Sequence, residues 1–394
     1  MSNTLLIGTR KGTVVIDHKE SAWTLQPISH AGIPVCYADC DPRDGTLWAS
    51  LDHGHWGPKL SRSKDRGKTW EDVKPIKFPK GARYIVKYLP SPDSDPSAPT
   101  AAPEYKEASV LKIWSLAFGG RDQPGRIYAG TIPGGLFVSD DGGDSWDLNL
   151  PLWNHESRGG DLFGKDATSE NLWGGTPASI DYGVFEPGIH SIVVNPNDSN
   201  HIYIAASTVG VLESKDAGKN WSACNKGLVM DYMPDPSAEW GHDPHFMSAC
   251  SQQPEHIWQQ NHCGVFYSHD GAQNWSKVSD PQKGVHFGFP IAVDEKDGRT
   301  AWVVPAKADS ERMAIDGSIC VARTTDGGQN WDILRNGLPQ KNAYDIVLRH
   351  ALDVSGDRLC FASTTGNVYL SEDRGDSWVC LGNNLPPVYS VRFV

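Results

Sequence analysis

The chain has 394 residues and a formal net charge of -12 with no long basic run, which argues against duplex nucleic acid as a partner. No apolar stretch is long enough to span a membrane, and no leader pattern precedes the first strand-like run, Leu5-Leu6-Ile7. The eight Cys are scattered without a C-x-x-C pair, so a reduced, cytoplasmic protein with free thiols is expected.

In chain order, residues 4–26 hold three strand-like runs, LLIGT, TVVID and WTLQP. The next unit runs from Val35 through Leu47–Leu51 and Lys59–Ser63 to Trp70. Further units occupy 113–149, 189–223, 245–278, 287–334 and 345–381, and a last run is Val388–Val394. The runs are short, bounded by Gly or Asn-Pro, and rich in Val, Ile, Tyr and Trp, while helical periodicity is weak everywhere. Insertions lie at 74–111, 150–188, 224–244 and 305–318. The centre of the first, Pro90–Pro103, is rich in Pro, Ser and Ala; it is expected to be a solvated loop, with a lid as the alternative.

One eight-residue pattern, S-x-D-x-G-x-S/T/N-W, recurs along these units. Its copies are Ser63–Trp70, Ser139–Trp146, Ser214–Trp221, Ser268–Trp275, Thr324–Trp331 and Ser371–Trp378. Ala272 replaces the glycine in the fourth copy, and Gly8–Gly12 with Trp23 looks like a seventh, degenerate unit. Six copies define a repeat protein. The D-x-G core is turn chemistry: Asp accepts backbone N–H bonds, Gly supplies positive φ, and Trp buries a large face between units. These Asp residues are therefore assigned to the fold and not to catalysis.

The pattern resembles that of the Asp-box (BNR) repeat proteins, β-propellers that include sialidases and other glycosidases. Gly8–Gly12, Gly54–Pro58, Gln260–Gly264 and Phe287–Pro290 are similar to bacterial proteins labelled sialidase-like or glycosyl hydrolase. The resemblance implies an all-β, seven-bladed β-propeller spanning residues 1–394, with four strands per blade. Val388–Val394 should then supply the inner strand of the first blade, closing the ring by pairing the two ends of the chain. In such a blade every long insertion falls on one face, around the mouth of the central channel, opposite the repeated turns.

Nine of the fourteen His fall on that face: His30, His53, His55, His155, His190, His242, His245, His262 and His286. His350 is among the other five. His190 and His245 stand where inner strands begin, as do Trp114, Tyr344 and Tyr389; in the blade after His245, Phe289 holds the strict register and His286 lies three residues earlier. Converging imidazoles make transition-metal sites, so His190, His245, His262 and His286 are candidate ligands for Zn, Fe, Cu or Mn. The alternative is a hydrogen-bonded polar funnel without metal.

For acid–base catalysis the candidates are His190, His245, Glu239, Glu186 and Tyr344. Carboxylates abound on this face, Asp52 and Asp243 among them, but sequence selects no pair. His55, Trp114, His155, Arg158, Trp240 and Tyr389 are candidate substrate contacts. No Arg-Ile-Pro is present, and Arg10, Arg83, Arg158 and Arg312 are not marked as a triad, so a sialidase proper is not expected. Three functions remain open. One is a hydrolase or lyase acting on a carbohydrate or related small molecule. Another is a His-ligated metalloenzyme, and the third is a non-catalytic propeller that binds a glycan or protein.

Overall fold

The computed structural model describes residues 2–20, 22–86, 104–158, 173, 176–177, 184–185 and 187–394. Pro90–Pro103 and Glu186, singled out above, lie outside the described residues. The fold is an almost all-β, seven-bladed propeller made of seven four-stranded antiparallel sheets. Blade 1 pairs Thr4–Thr9, Gly12–Lys19 and Ala22–Leu25 with Val388–Phe393 as its inner strand. The two ends of the chain pair as the sequence predicts, in a register that sets Leu5 opposite Phe393 and Ile7 opposite Val391. The inner strands of blades 2 to 7 are Val35–Cys40, Lys112–Phe118, Ile189–Asn195, Pro244–Ala249, Gly288–Val293 and Leu352–Ser355. Each inner strand packs against the next, all the way round.

Both faces of a blade are covered by neighbours, so middle strands are buried without alternation. Ile202–Ala206, Gly210–Ser214 and Ile257–Asn261 are buried at every residue. This explains why they read as continuous apolar runs rather than as alternating ones.

The six repeated turns link the third strand of a blade to the fourth, and they share one geometry. In Ser139–Trp146 the Ser139 hydroxyl donates to Asp141 Oδ1 at 2.8 Å and accepts from Gly143 N at 2.8 Å. Oδ1 also accepts from Ser145 N at 2.8 Å, and Oδ2 accepts from the Ser145 hydroxyl at 2.6 Å. Three donors thus converge on one Asp carboxylate. Hydrogen bonds from Ser145 and Ser139 hold Asp141 down to about 2. The fourth and fifth turn residues both take positive φ in all six copies. The fifth is Gly except at Ala272, whose φ is 61°. Two of the closing Trp bond across blades: the Trp275 and Trp331 indoles donate to the Cys224 and Val278 carbonyls of the preceding blade, at 2.8 and 2.9 Å, while those of Trp70 and Trp378 donate to the glycine of their own turn.

The degenerate seventh unit is not such a turn. Gly8–Gly12 joins the first and second strands of the chain on the opposite face, and the turn corresponding to the other six is a tight link at Glu20. Residues 74–111, 150–188 and 224–244 connect an outer strand to the next inner strand, and 305–318 joins two middle strands of blade 6. The first contributes a small hairpin, Arg83–Val86 with Glu104–Glu107.

Ala272 is buried in a left-handed conformation that disfavours a Cβ. Ala272→Gly should therefore stabilise the chain by about 0.5–1 kcal/mol. Urea unfolding should show a higher midpoint at constant m-value; a lower midpoint would contradict the strain assignment.

Candidate active site

The channel mouth is built by a repeated backbone irregularity. Near the start of six inner strands the pairing register shifts. The extra residues are Cys36 in blade 2, Trp114 in blade 3, His190 in blade 4 and His245 in blade 5. In blade 6, Phe289 and Pro290 together face a single partner, and in blade 1 the extra residue is Tyr389. A bulge bends its strand and re-aims the extra side chain. Repeated round the ring, it assembles one site from residues far apart in sequence.

A cavity of about 360 Å³ opens at this mouth, lined by Arg10, Asp52, Lys112, Trp114, Arg349 and Tyr389 among others. Three cations face one carboxylate. Arg349 lies 5.0 Å from the Trp114 ring centroid and 5.3 Å from that of Phe289. Its Nε is buried without a hydrogen-bond partner. Burial lowers its pKa to about 10, partly offset by Asp243, so the guanidinium stays charged at neutral pH.

Beside it stand Asp243, His245 and His262, each offering an N or O atom within 4.8 Å of the others. His245 Nε2 and His262 Nδ1 each lie 3.7 Å from Asp243 Oδ2. The His245 Nδ1–H donates to the Gly288 carbonyl at 2.6 Å, so Nε2 carries the lone pair. Thr208 N donates to Asp243 Oδ1 at 3.2 Å. Burial pushes the Asp243 carboxyl up, but His245, Arg349 and His262 beside it outweigh burial and hold it well below the usual range. Phe287 meets both imidazoles edge-on, and Tyr232 covers His262.

His190 is wholly buried, edge-on to Trp114, with Nε2 unpartnered. Burial, with Arg349 and His350, keeps its imidazole neutral. His350 fills the channel below. It donates from Nε2 to the His190 carbonyl at 2.8 Å and packs edge-on against Tyr37 and Phe246. The sequence reading set His350 apart from the mouth; in the structure it lines the mouth cavity and plugs the axis.

Several expected residues are placed elsewhere. Arg158 is buried between the rings of Trp153 and Trp173 and bonds the Leu152 and Gly134 carbonyls, so it anchors an insertion and does not face a ligand. Tyr344 is 62% exposed and precedes its inner strand by eight residues, because that strand begins at Leu352. Arg349 and His350 take the place expected of it. His286 bonds the Lys307 carbonyl through Nε2 and, like His190, lies outside the Asp243–His245–His262 group. His155 engages both ring nitrogens, with Ser157 Oγ and the Trp221 carbonyl, and packs on half-buried Trp240. Glu239 is exposed near His155. His55 is exposed against Trp56 on a blade 2 turn. Trp114 and Tyr389 line the cavity.

No family model matches the chain, and no curated protein matches it. Solved structures do. A GH74 enzyme from Niastella koreensis superimposes with a TM-score of 0.59 at 17% identity, covering 96% of this chain and 52% of that one. An ancestral GH74 enzyme gives 0.54 at 16% identity, covering 87% and 38%. The chain thus spans about half or less of these proteins, and the likeness shows the propeller fold. Among the described residues, no helix is long and apolar enough to cross a membrane.

The buried imidazoles make stability pH-dependent. His190, His245 and His350 all titrate below the ordinary 6.5 when folded, His350 at about 3, chiefly because burial disfavours the cation. On acidification the unfolded chain binds these protons first. Their contribution is therefore complete above about pH 6.5 and is lost as pH falls toward about 3. His350→Gln should remove about one proton from the pH dependence, a slope change of about 1.4 kcal/mol per pH unit between roughly pH 6 and 4. Urea midpoints measured across that range check this, and parallel curves for the two proteins would refute it.

Proposed function

We propose that the channel mouth is the active site of an enzyme of hydrolase or lyase type acting on a small anionic carbohydrate or related molecule. The observation that carries this reading is Arg349. Its guanidinium makes no hydrogen bond or ion pair among the described residues, lies near the rings of Trp114 and Phe289, and keeps its charge. Arg349 is half-buried with its Nε sealed from water, and such a cation without a partner is costly unless a ligand completes it. A substrate carboxylate is the ligand that fits, since planar guanidinium binds carboxylate through two parallel hydrogen bonds. Arg10 and Lys112 add positive charge, and the Trp114 and Tyr389 rings offer faces for a sugar.

Beside this anion site, Asp243, His245 and His262 supply a carboxylate and two imidazoles for proton transfer. Neutralising a substrate carboxylate with Arg349 would ease removal of the adjacent proton, the first step of an elimination. Hydrolysis would use the same groups to activate water. The six repeated turns support placing the chain with the Asp-box propellers, and the GH74 likeness accords with carbohydrate chemistry.

The reading is tested by offering neutral and uronate-containing oligosaccharides and following both reducing ends and unsaturated products. Turnover should favour acidic sugars. Arg349→Gln should lower kcat/KM by roughly 10- to 100-fold, the loss of one charge-assisted hydrogen-bonded pair. Equal activity on neutral sugars, or an unaffected Arg349→Gln, would sink the proposal.

A further inference from the structure

The geometry points to a divalent transition-metal site formed by Asp243, His245 and His262, of the type that takes Zn²⁺ or Co²⁺. It serves the mouth proposed above as an active site, but metal binding can be tested without turnover.

The spacing is the first reason. Both imidazole nitrogens lie 3.7 Å from one carboxylate oxygen, too far for hydrogen bonds. An imidazole–carboxylate pair built for proton relay would close to about 2.7–2.9 Å. Two ligands each about 2.1 Å from a tetrahedral ion lie about 3.4 Å apart, close to what is seen. The third separation lies within 4.8 Å, so closing on an ion would contract it by up to about 1.4 Å, which a side-chain rotation of His262 can supply.

Orientation is the second reason. A metal-binding imidazole characteristically donates its other N–H to a carbonyl or carboxylate. His245 does so to Gly288, which leaves the Nε2 lone pair on the side of Asp243. The backbone N–H of Thr208 occupies Asp243 Oδ1 and leaves Oδ2 for the ion.

Construction is the third. Asp243 and His245 enter at the head of the blade 5 inner strand, and His262 comes from the turn between the middle strands of the same blade. A backbone bond from His262 N to the Asp243 carbonyl, 2.9 Å, fixes the two segments together. The two segments that carry the ligands are therefore held together before any ion arrives. Two His and one carboxylate suit a borderline divalent ion and leave at least one position for water or substrate. Arg349 stands near Asp243, so an anionic ligand could bridge ion and guanidinium.

The test uses the full untagged chain, stripped of metal and titrated with Co²⁺ by visible absorption and with Zn²⁺ by calorimetry. One ion per chain with d–d bands of a four- or five-coordinate N/O site is expected. Asp243→Asn and His262→Ala should each weaken binding by about 100-fold or more, and His286→Ala should leave it unchanged. Circular dichroism of each variant separates loss of site from loss of fold. Sub-stoichiometric binding by wild type, or full binding by folded His262→Ala, would overturn the assignment. Stoichiometric metal without turnover of acidic sugars would leave the site standing and remove the proposed function. Turnover of acidic sugars by a wild-type chain that fails to bind one ion would do the reverse.

Discussion

Every blade is a sheet with two apolar faces, and only a closed ring gives each sheet a neighbour on both. This requirement governs the rest of the molecule. It explains why Ile202–Ala206 is buried throughout, why Val388–Phe393 returns to pair with Thr4–Thr9, and why each repeated turn ends in a Trp. The turn is the device that sets the angle between third and fourth strands. Its Asp is saturated by its own loop, which leaves none of its chemistry for a substrate.

Closure also forces seven inner strands to converge, and the bulges exploit that. One extra residue at the head of each of six strands costs a single ladder position and bends the strand locally. In return Cys36, Trp114, His190, His245, Phe289 and Tyr389 come to a common mouth from blades spread over the whole chain. Blade 7 has no such shift in its ladder and contributes Arg349 and His350 from the link that precedes its inner strand. The result is a mouth with aromatic walls, a guanidinium unpaired among the described residues, and a plugged axis.

Low dielectric sharpens each of these contacts. Arg349 keeps its charge among rings, His190 stays neutral, and Asp243 stays ionised because imidazoles and a guanidinium surround it. Metal and anion roles can coexist there, since the carboxylate and the two imidazoles stand beside the guanidinium; with an ion bound, the acid–base role would fall to a water on that ion.

The repeat, the ring closure and the heads of the inner strands at Trp114, His190, His245, Phe289 and Tyr389 were legible in the sequence, because each leaves a local pattern of turn residues and apolar runs. Tertiary structure decided what those heads meet. Ala343, Asp345 and Val347 are buried in alternation like a strand, yet the strand starts at Leu352, so Arg349 and His350 were hidden behind Tyr344. Asp243 was one carboxylate among many until the end of its insertion folded back, with His242 bridging Val209, to set it between two imidazoles. Arg158 was equally plausible as a ligand contact until Trp153 and Trp173 closed over it. Local periodicity reports which way a residue faces within its own strand. Which side chains share a site depends on bulges and on contacts between blades, and those exist only once the ring is closed.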